Sequence, residues 1–338
     1  MKKIKTKKTK KQKYQHSYVP DYLGFASLLT AYLLIQFLVE PFHRLFYTND
    51  LRIAFPHAEV ERVPVWLNFV YALFVPLAVL LLWTAFASDR ARSPVTFHKH
   101  HSALLGLAVS LILASFLTDV VKNTVGRPRP DLIARCKPRP GTPADVLVSL
   151  DVCTETRHHT LHDGWRSFPS GHSSFSFAGL GYLSLFLAGQ LRVFRDRRRL
   201  WRALLCLAPL VAAALVAISR CQDYRHDVYD VCVGSALGLA VAWFAYRRYW
   251  PRLASPVCDL PYPAPGSSSN DDDPDAEFDD DEHDGAAAAA AGEGGRRGAW
   301  TRVRARDEEE GPVFGRPANT TAGYGNEMAV FPPPSLHS

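Results

Sequence analysis

The stretch Arg166-Ser167-Phe168-Pro169-Ser170-Gly171-His172-Ser173-Ser174 decides how this chain is read. It stands at the mouth of an apolar run, and Pro169-Ser170-Gly171-His172 marks the point where a loop turns into a membrane helix. The first N–H groups of a helix have no partner inside it, and the helix dipole adds positive potential there. Such a terminus attracts an anion. His172 offers a proton near neutral pH at the same place. A phosphate held beside a proton donor is the first expectation. Ser-Gly-His at a helix start is more often a cap beside a surface histidine, so the expectation stands only if the rest of the chain supplies partners.

Working outward, six apolar runs appear: Tyr22 to Val39, Val65 to Ala87, Ala103 to Val121, Ser173 to Leu191, Ala203 to Ile218 and Val228 to Tyr246. Each is near the ~20 residues that a helix needs to cross a bilayer. The fold class expected is all-α, a six-span transmembrane bundle over residues 21–250. A basic tail (1–20) precedes it and a disordered acidic, Pro-, Gly- and Ala-rich tail (251–338) follows. The mean hydropathy of −0.08 hides this, because two polar tails dilute an apolar middle. No cleavable signal peptide is visible, so the first run serves as span and signal anchor.

Charge orients the bundle. Eight lysines lie between Lys2 and Lys13, and Arg192, Arg195, Arg197, Arg198, Arg199 and Arg202 fill the loop after the fourth run. Arg90, Arg92 and Lys99, then Arg247, Arg248 and Arg252, fall on the same side. Basic loops stay in the cytoplasm, which puts both termini there. The Lys-rich start then rests on anionic headgroups rather than on nucleic acid. Ten of the fourteen residues from Asp271 to Asp284 are acidic, and a tail of this kind buries too little apolar surface to fold. The Asn319-Thr320-Thr321 sequon would lie in the cytoplasm and stay unmodified. Six cysteines show no metal-type spacing. Cys136 and Cys153 share one long loop and can bridge if it faces an oxidising compartment.

Three clusters then fall on the non-cytoplasmic face. Lys122 and Arg127-Pro128-Arg129-Pro130 leave the third run, with Gly126 and the prolines ending its helix. The opening stretch starts the fourth. Ser219-Arg220, His226 and Asp230 join the fifth to the sixth. His226 and Asp230 are four apart, which predicts one face of the sixth helix. A carboxylate inside a span costs roughly 2.5–3.5 kcal/mol on insertion scales, so Asp230 has work to do. Accepting a hydrogen bond from His226 would fix its tautomer and free the other nitrogen to attack. Arg220 suits bidentate phosphate contact. Snorkelling cations or a structural His–Asp pair would explain any one cluster. They do not explain three clusters on one face.

Lys122-x6-Arg129-Pro130, Pro169-Ser170-Gly171-His172 and Ser219-Arg220-x5-His226-x3-Asp230 together resemble the three-part signature of the type 2 phosphatidic acid phosphatase superfamily. The likeness is greatest to fungal diacylglycerol pyrophosphate phosphatase and other lipid phosphate phosphatases. It covers roughly residues 20–250, including Pro41-Phe42-His43-Arg44, and neither tail. It implies a six-span bundle with a core shared with soluble acid phosphatases and vanadium haloperoxidases. It also implies a metal-free hydrolysis of lipid phosphates. His226 would attack phosphorus, Asp230 would orient it, and His172 would protonate the leaving oxygen. Lys122, Arg129, Arg220, Ser170 and Gly171 would hold the phosphate oxygens. Asp227 departs from the second histidine of many fungal relatives, and a carboxylate there would raise the pKa of the nucleophile.

A non-enzymatic lipid-phosphate-binding scaffold is the alternative, and retention of His172, His226 and Asp230 speaks against it. A proton-relay transporter leaves the three cations unexplained.

Overall fold

The computed structural model describes residues 18–86, 94–195 and 199–263. Among these residues it is all-helical, with two isolated bridges, Phe46 to Val148 and Pro138 to Cys153. Two membrane-length helices come first, α1 (Val19–Leu38) and α2 (Val65–Phe86), followed by α3 (Pro94–Val125). Two short helices, α4 (Leu132–Cys136) and α5 (His158–His162), lie in the long loop. Then come α6 (Gly171–Gln190), α7 (Leu200–Gln222) and α8 (Val228–Tyr249).

Five of the six long helices are apolar and long enough to cross a membrane. The sixth, α6, falls short on apolarity for a physical reason. It is the central helix, with fourteen of its twenty residues buried against protein, so serines and glycines replace the large side chains a lipid-facing helix carries. At the periphery, α1 buries none of its residues.

Close helix approach builds the centre. On α8, a Cβ at Gly234 would come within 2.5 Å of the Ser170 carbonyl, and one at Gly238 would strike the Ser174 carbonyl. The Gly-x3-Gly stripe thus lets α8 lie backbone to backbone on the first turns of α6. In α2, Pro76 cannot donate to the Ala72 carbonyl four residues back, and a π turn, Val70–Phe74, accommodates the break.

One end of the bundle carries a cap made from residues 39–64 and 126–170. Its core is Phe46, Ile53, Leu132, Cys136, Val148 and Trp165, and Cys136 and Cys153 form a disulfide within it. Gly126, at φ +55, ends α3 in the left-handed region, where any side chain would collide with the Phe42 carbonyl.

Two expected boundaries move. The folded part does not stop at Pro251: Trp250 and Cys258 are buried, Tyr262 N–H donates to the Tyr249 carbonyl (3.0 Å), and Asp259 pairs with Arg192 (2.9 Å). His226 is not on the sixth helix, because α8 begins at Val228 with Asp227 as its N-cap. Residues 1–17, the acidic block, the sequon, Arg90, Arg92, Arg197 and Arg198 lie outside the described residues.

Candidate active site

The capped ends of α3, α6, α7 and α8 surround a cavity of about 360 Å³, lined by Lys122, Arg129, Gly171, His172, Arg220 and His226 among others. All three sequence clusters therefore meet. Lys122 is 6 % exposed, and its ammonium donates to the Arg166 carbonyl at 2.9 Å. A Cβ on Gly171 would sit 3.7 Å from that ammonium, so the cation lies over the first turn of α6.

Arg129 is fixed by a relay of alternating charge through the cap. Its guanidinium bonds Asp163 (2.7 Å), Asp163 bonds Arg135 (3.1 Å), Arg135 bonds Asp131 (2.9 Å) and Asp131 bonds His57 (2.6 Å). Burial alone would push the Asp163 carboxyl up. The charges of Arg129, Arg135, Lys122 and Arg166 overcome that and hold it well below the ordinary carboxylate range. Arg220 is 1 % exposed and held by Asp223 and by Glu61 (2.7 Å), while Glu61 also takes Arg225.

Several polar atoms of the lining residues are buried with no hydrogen-bond partner, among them Arg129 Nε, Arg220 Nε and His172 Nε2. A buried donor without an acceptor costs roughly 1–3 kcal/mol, so convergent orphans mark a place built for an acceptor-rich guest.

The histidine–aspartate pair differs from expectation. His226 Nδ1 is 3.7 Å from Asp230 and has no hydrogen-bond partner. The carboxylate is instead bonded by Arg127 (2.7 Å), Ser167 Oγ (2.6 Å) and the Asp227 N–H (3.0 Å). Ser170 caps α6: its hydroxyl accepts from Ser173 N–H (3.4 Å) and from Ser173 Oγ (2.9 Å), and it does not line the cavity. The net shift of the His226 pKa is downward, opposite to the rise expected from Asp227. Asp227 caps α8 and pairs with Arg127 at 2.9 Å. Burial, then Arg129, Lys122, His172 and Arg220, lower the His226 pKa well below its ordinary value.

Glu61, Asp163, Arg135, Asp223 and Arg225 went unnoticed in the sequence. Glu61, Asp163 and Arg135 lie outside the three signatures, and only the fold brings them to the cations; Asp223 and Arg225 fill unspecified positions between Arg220 and His226. Glu61 pairs with Arg220, so a phosphate that binds this guanidinium competes with it. In Glu61→Gln, inhibition by inorganic phosphate should tighten about tenfold, the equivalent of ~1.4 kcal/mol of lost competition; a Ki measured in detergent checks this.

With this geometry in hand, the comparisons with known proteins are specific. The PAP2 superfamily model matches residues 103–254. Diacylglycerol pyrophosphate phosphatase 1 of Saccharomyces cerevisiae is 45 % identical over 219 residues, covering 64 % of this chain and 75 % of the relative. The chain belongs to the PAP2 superfamily.

Two further relatives carry related names. A probable diacylglycerol pyrophosphate phosphatase 1 of Schizosaccharomyces pombe is 40 % identical, over 72 % of this chain and 85 % of its own. Lipid phosphate phosphatase 2 of Arabidopsis thaliana is 37 % identical, over 68 % and 77 %. No solved structure matches. The family match begins in α3 and ends in the docked segment after α8, so it takes in all three site clusters. The 39–64 loop that supplies Glu61 and His57 lies wholly outside it.

Proposed function

We propose that the chain is an integral membrane phosphatase that hydrolyses lipid phosphates through a phosphohistidine on His226. The substrate set is phosphatidate, lysophosphatidate and diacylglycerol pyrophosphate. The observation that carries this reading is the set of orphaned buried atoms, Arg129 Nε, Arg220 Nε and His172 Nε2, on one cavity wall beside His226.

In the first step the His226 Nε2 lone pair attacks phosphorus. The bond from phosphorus to the leaving oxygen breaks, and His172 gives that oxygen its proton. The ring of His226 gains positive charge as it attacks, and the Asp230 carboxylate 3.7 Å from Nδ1 draws in to meet it. In the second step water attacks the phosphohistidine, His172 takes the water's proton, and the N–P bond breaks to release phosphate. Lys122, Arg129, Arg220 and the Gly171 N–H stabilise the charge on the equatorial oxygens. Ser170 acts through the cap that orients this helix start. Arg127, which bonds Asp230 from behind, holds the carboxylate in line.

Protein cations supply the charge neutralisation in this scheme, and we propose that no metal is needed. Purified protein in detergent with EDTA should release phosphate from these lipids. Phosphate-dependent binding without release would favour the scaffold reading, and uptake into proteoliposomes without release the transporter. We place the cap and site on the non-cytoplasmic side and both termini in the cytoplasm. Arg192, Arg247, Arg248 and Arg252 at the other end support this, as does the disulfide in the cap.

A further inference from the structure

Below the phosphate cations the cavity continues toward the bilayer between α1, α2 and α3. Its walls there are Tyr32 and Gln36 from α1, Asn68 and Phe69 from α2, Ser115 from α3 and Phe175 from α6. Asn68 stands out. It is a carboxamide in an otherwise apolar turn, Val65-Trp66-Leu67-Asn68-Phe69-Val70, on a helix suited to lipid. It is 5 % exposed, and its Oδ1 is buried with no hydrogen-bond partner. A buried amide left unpaired costs stability, and more so at membrane depth, where water does not compensate. Leucine would fill the same space without that cost.

Depth tells what the amide would meet. Asn68 lies three residues inside α2, about 5 Å below its mouth at ~1.5 Å per residue. Gln36 lies in the last turn of α1 and Tyr32 one turn deeper. These polar groups line the same cavity as the phosphate cations, within about two turns of the helix ends. In a glycerolipid the groups at that distance from the phosphate are the glycerol oxygens, either ester carbonyls or a free hydroxyl. The unpartnered atom of Asn68 is its Oδ1, an acceptor, so the partner it fits is the free glycerol hydroxyl of a lysophosphatidate and not an ester carbonyl.

We infer that Asn68 is a specificity-determining residue that accepts a hydrogen bond from the free glycerol hydroxyl of the lipid substrate, selecting lysophosphatidate over simple alkyl phosphates. This rests on the phosphatase reading above.

The test compares two lipid esters in the same detergent: 1-oleoyl lysophosphatidate, whose glycerol keeps a free hydroxyl, and dodecyl phosphate, which has an alkoxide leaving group but no glycerol oxygens. In Asn68→Leu, kcat/KM for lysophosphatidate should fall about ten- to thirtyfold, while that for dodecyl phosphate changes less than about threefold. The melting temperature should hold or rise, because the variant removes an unpaired buried amide. Equal losses on both esters, an unchanged lysophosphatidate rate or a lowered melting temperature would overturn the inference. Should the leucine variant fail to accumulate, Asn68→Ser should show the same loss of preference. Wild-type protein silent on both esters would remove the phosphatase reading itself. A wild type active on both, with its preference intact in the variant, would remove only this inference.

Discussion

His226→Ala is expected to lower phosphate release by about 10⁴-fold or more, to the assay background, with melting temperature and detergent elution unchanged. His226 is 4 % exposed, lines the cavity beside Lys122, Arg129 and Arg220, and stands just ahead of the helix that carries Asp230. Brief exposure of wild type to radiolabelled substrate and quenching in base should trap label on protein, and the variant should carry none. A variant that keeps turning over would move the nucleophile elsewhere.

The pH profile adds an independent check. The neutral ring attacks, and burial with the surrounding cations depresses the His226 pKa well below 6.5. A depressed pKa keeps the ring neutral as pH falls, so the acid limb of kcat/KM should lie well below pH 6.5. Removing one of those cations in Arg129→Gln should shift the limb upward. The substrate's own second ionisation, near pH 6, is common to both proteins and cancels in the comparison.

What the sequence reveals here divides along contact range. Helix positions follow from runs of apolar residues, a local signal; five of the six long helices lie within a few residues of the runs, while α3 begins at Pro94, well before Ala103, through a polar, His-rich turn. The helix α6 is recognisable by its start rather than its hydropathy, because a buried central helix gives up large apolar side chains for close packing. The cations and histidines could be read because each signature is a short string at a helix end. Their counter-charges could not. Glu61 meets Arg220 across 159 residues, and Asp163 meets Arg129 across 34. Nothing local in either segment marks the partner. The spacing of His226 and Asp230 suggested a shared helix face. The N-cap at Asp227 instead puts His226 outside the helix, where it is free to face the cavity. Periodicity cannot see that, because a cap changes the backbone direction without changing the count of residues.

Loss of His172 should depend on what leaves. The ring sits in the first turn of α6, hydrogen-bonded on one side to the Val63 backbone, with Nε2 buried and unpartnered beside the phosphate cations. General-acid catalysis contributes about 10²–10⁴-fold where the leaving group needs a proton. The diacylglycerol alkoxide is a strong base and needs one as the bond to phosphorus breaks, whereas nitrophenolate is stable without it. In His172→Ala, kcat with phosphatidate should therefore fall by about 10³-fold and kcat with p-nitrophenyl phosphate by only about tenfold. The residual loss reflects the second step, in which the same ring takes the proton from water. Diacylglycerol pyrophosphate should fall between the two, because its leaving group is a phosphate monoester, far less basic than an alkoxide. Equal losses across the three would mean that His172 binds phosphate and does not deliver a proton. The graded order would instead tie the helix start that opened the reading to the bond that breaks.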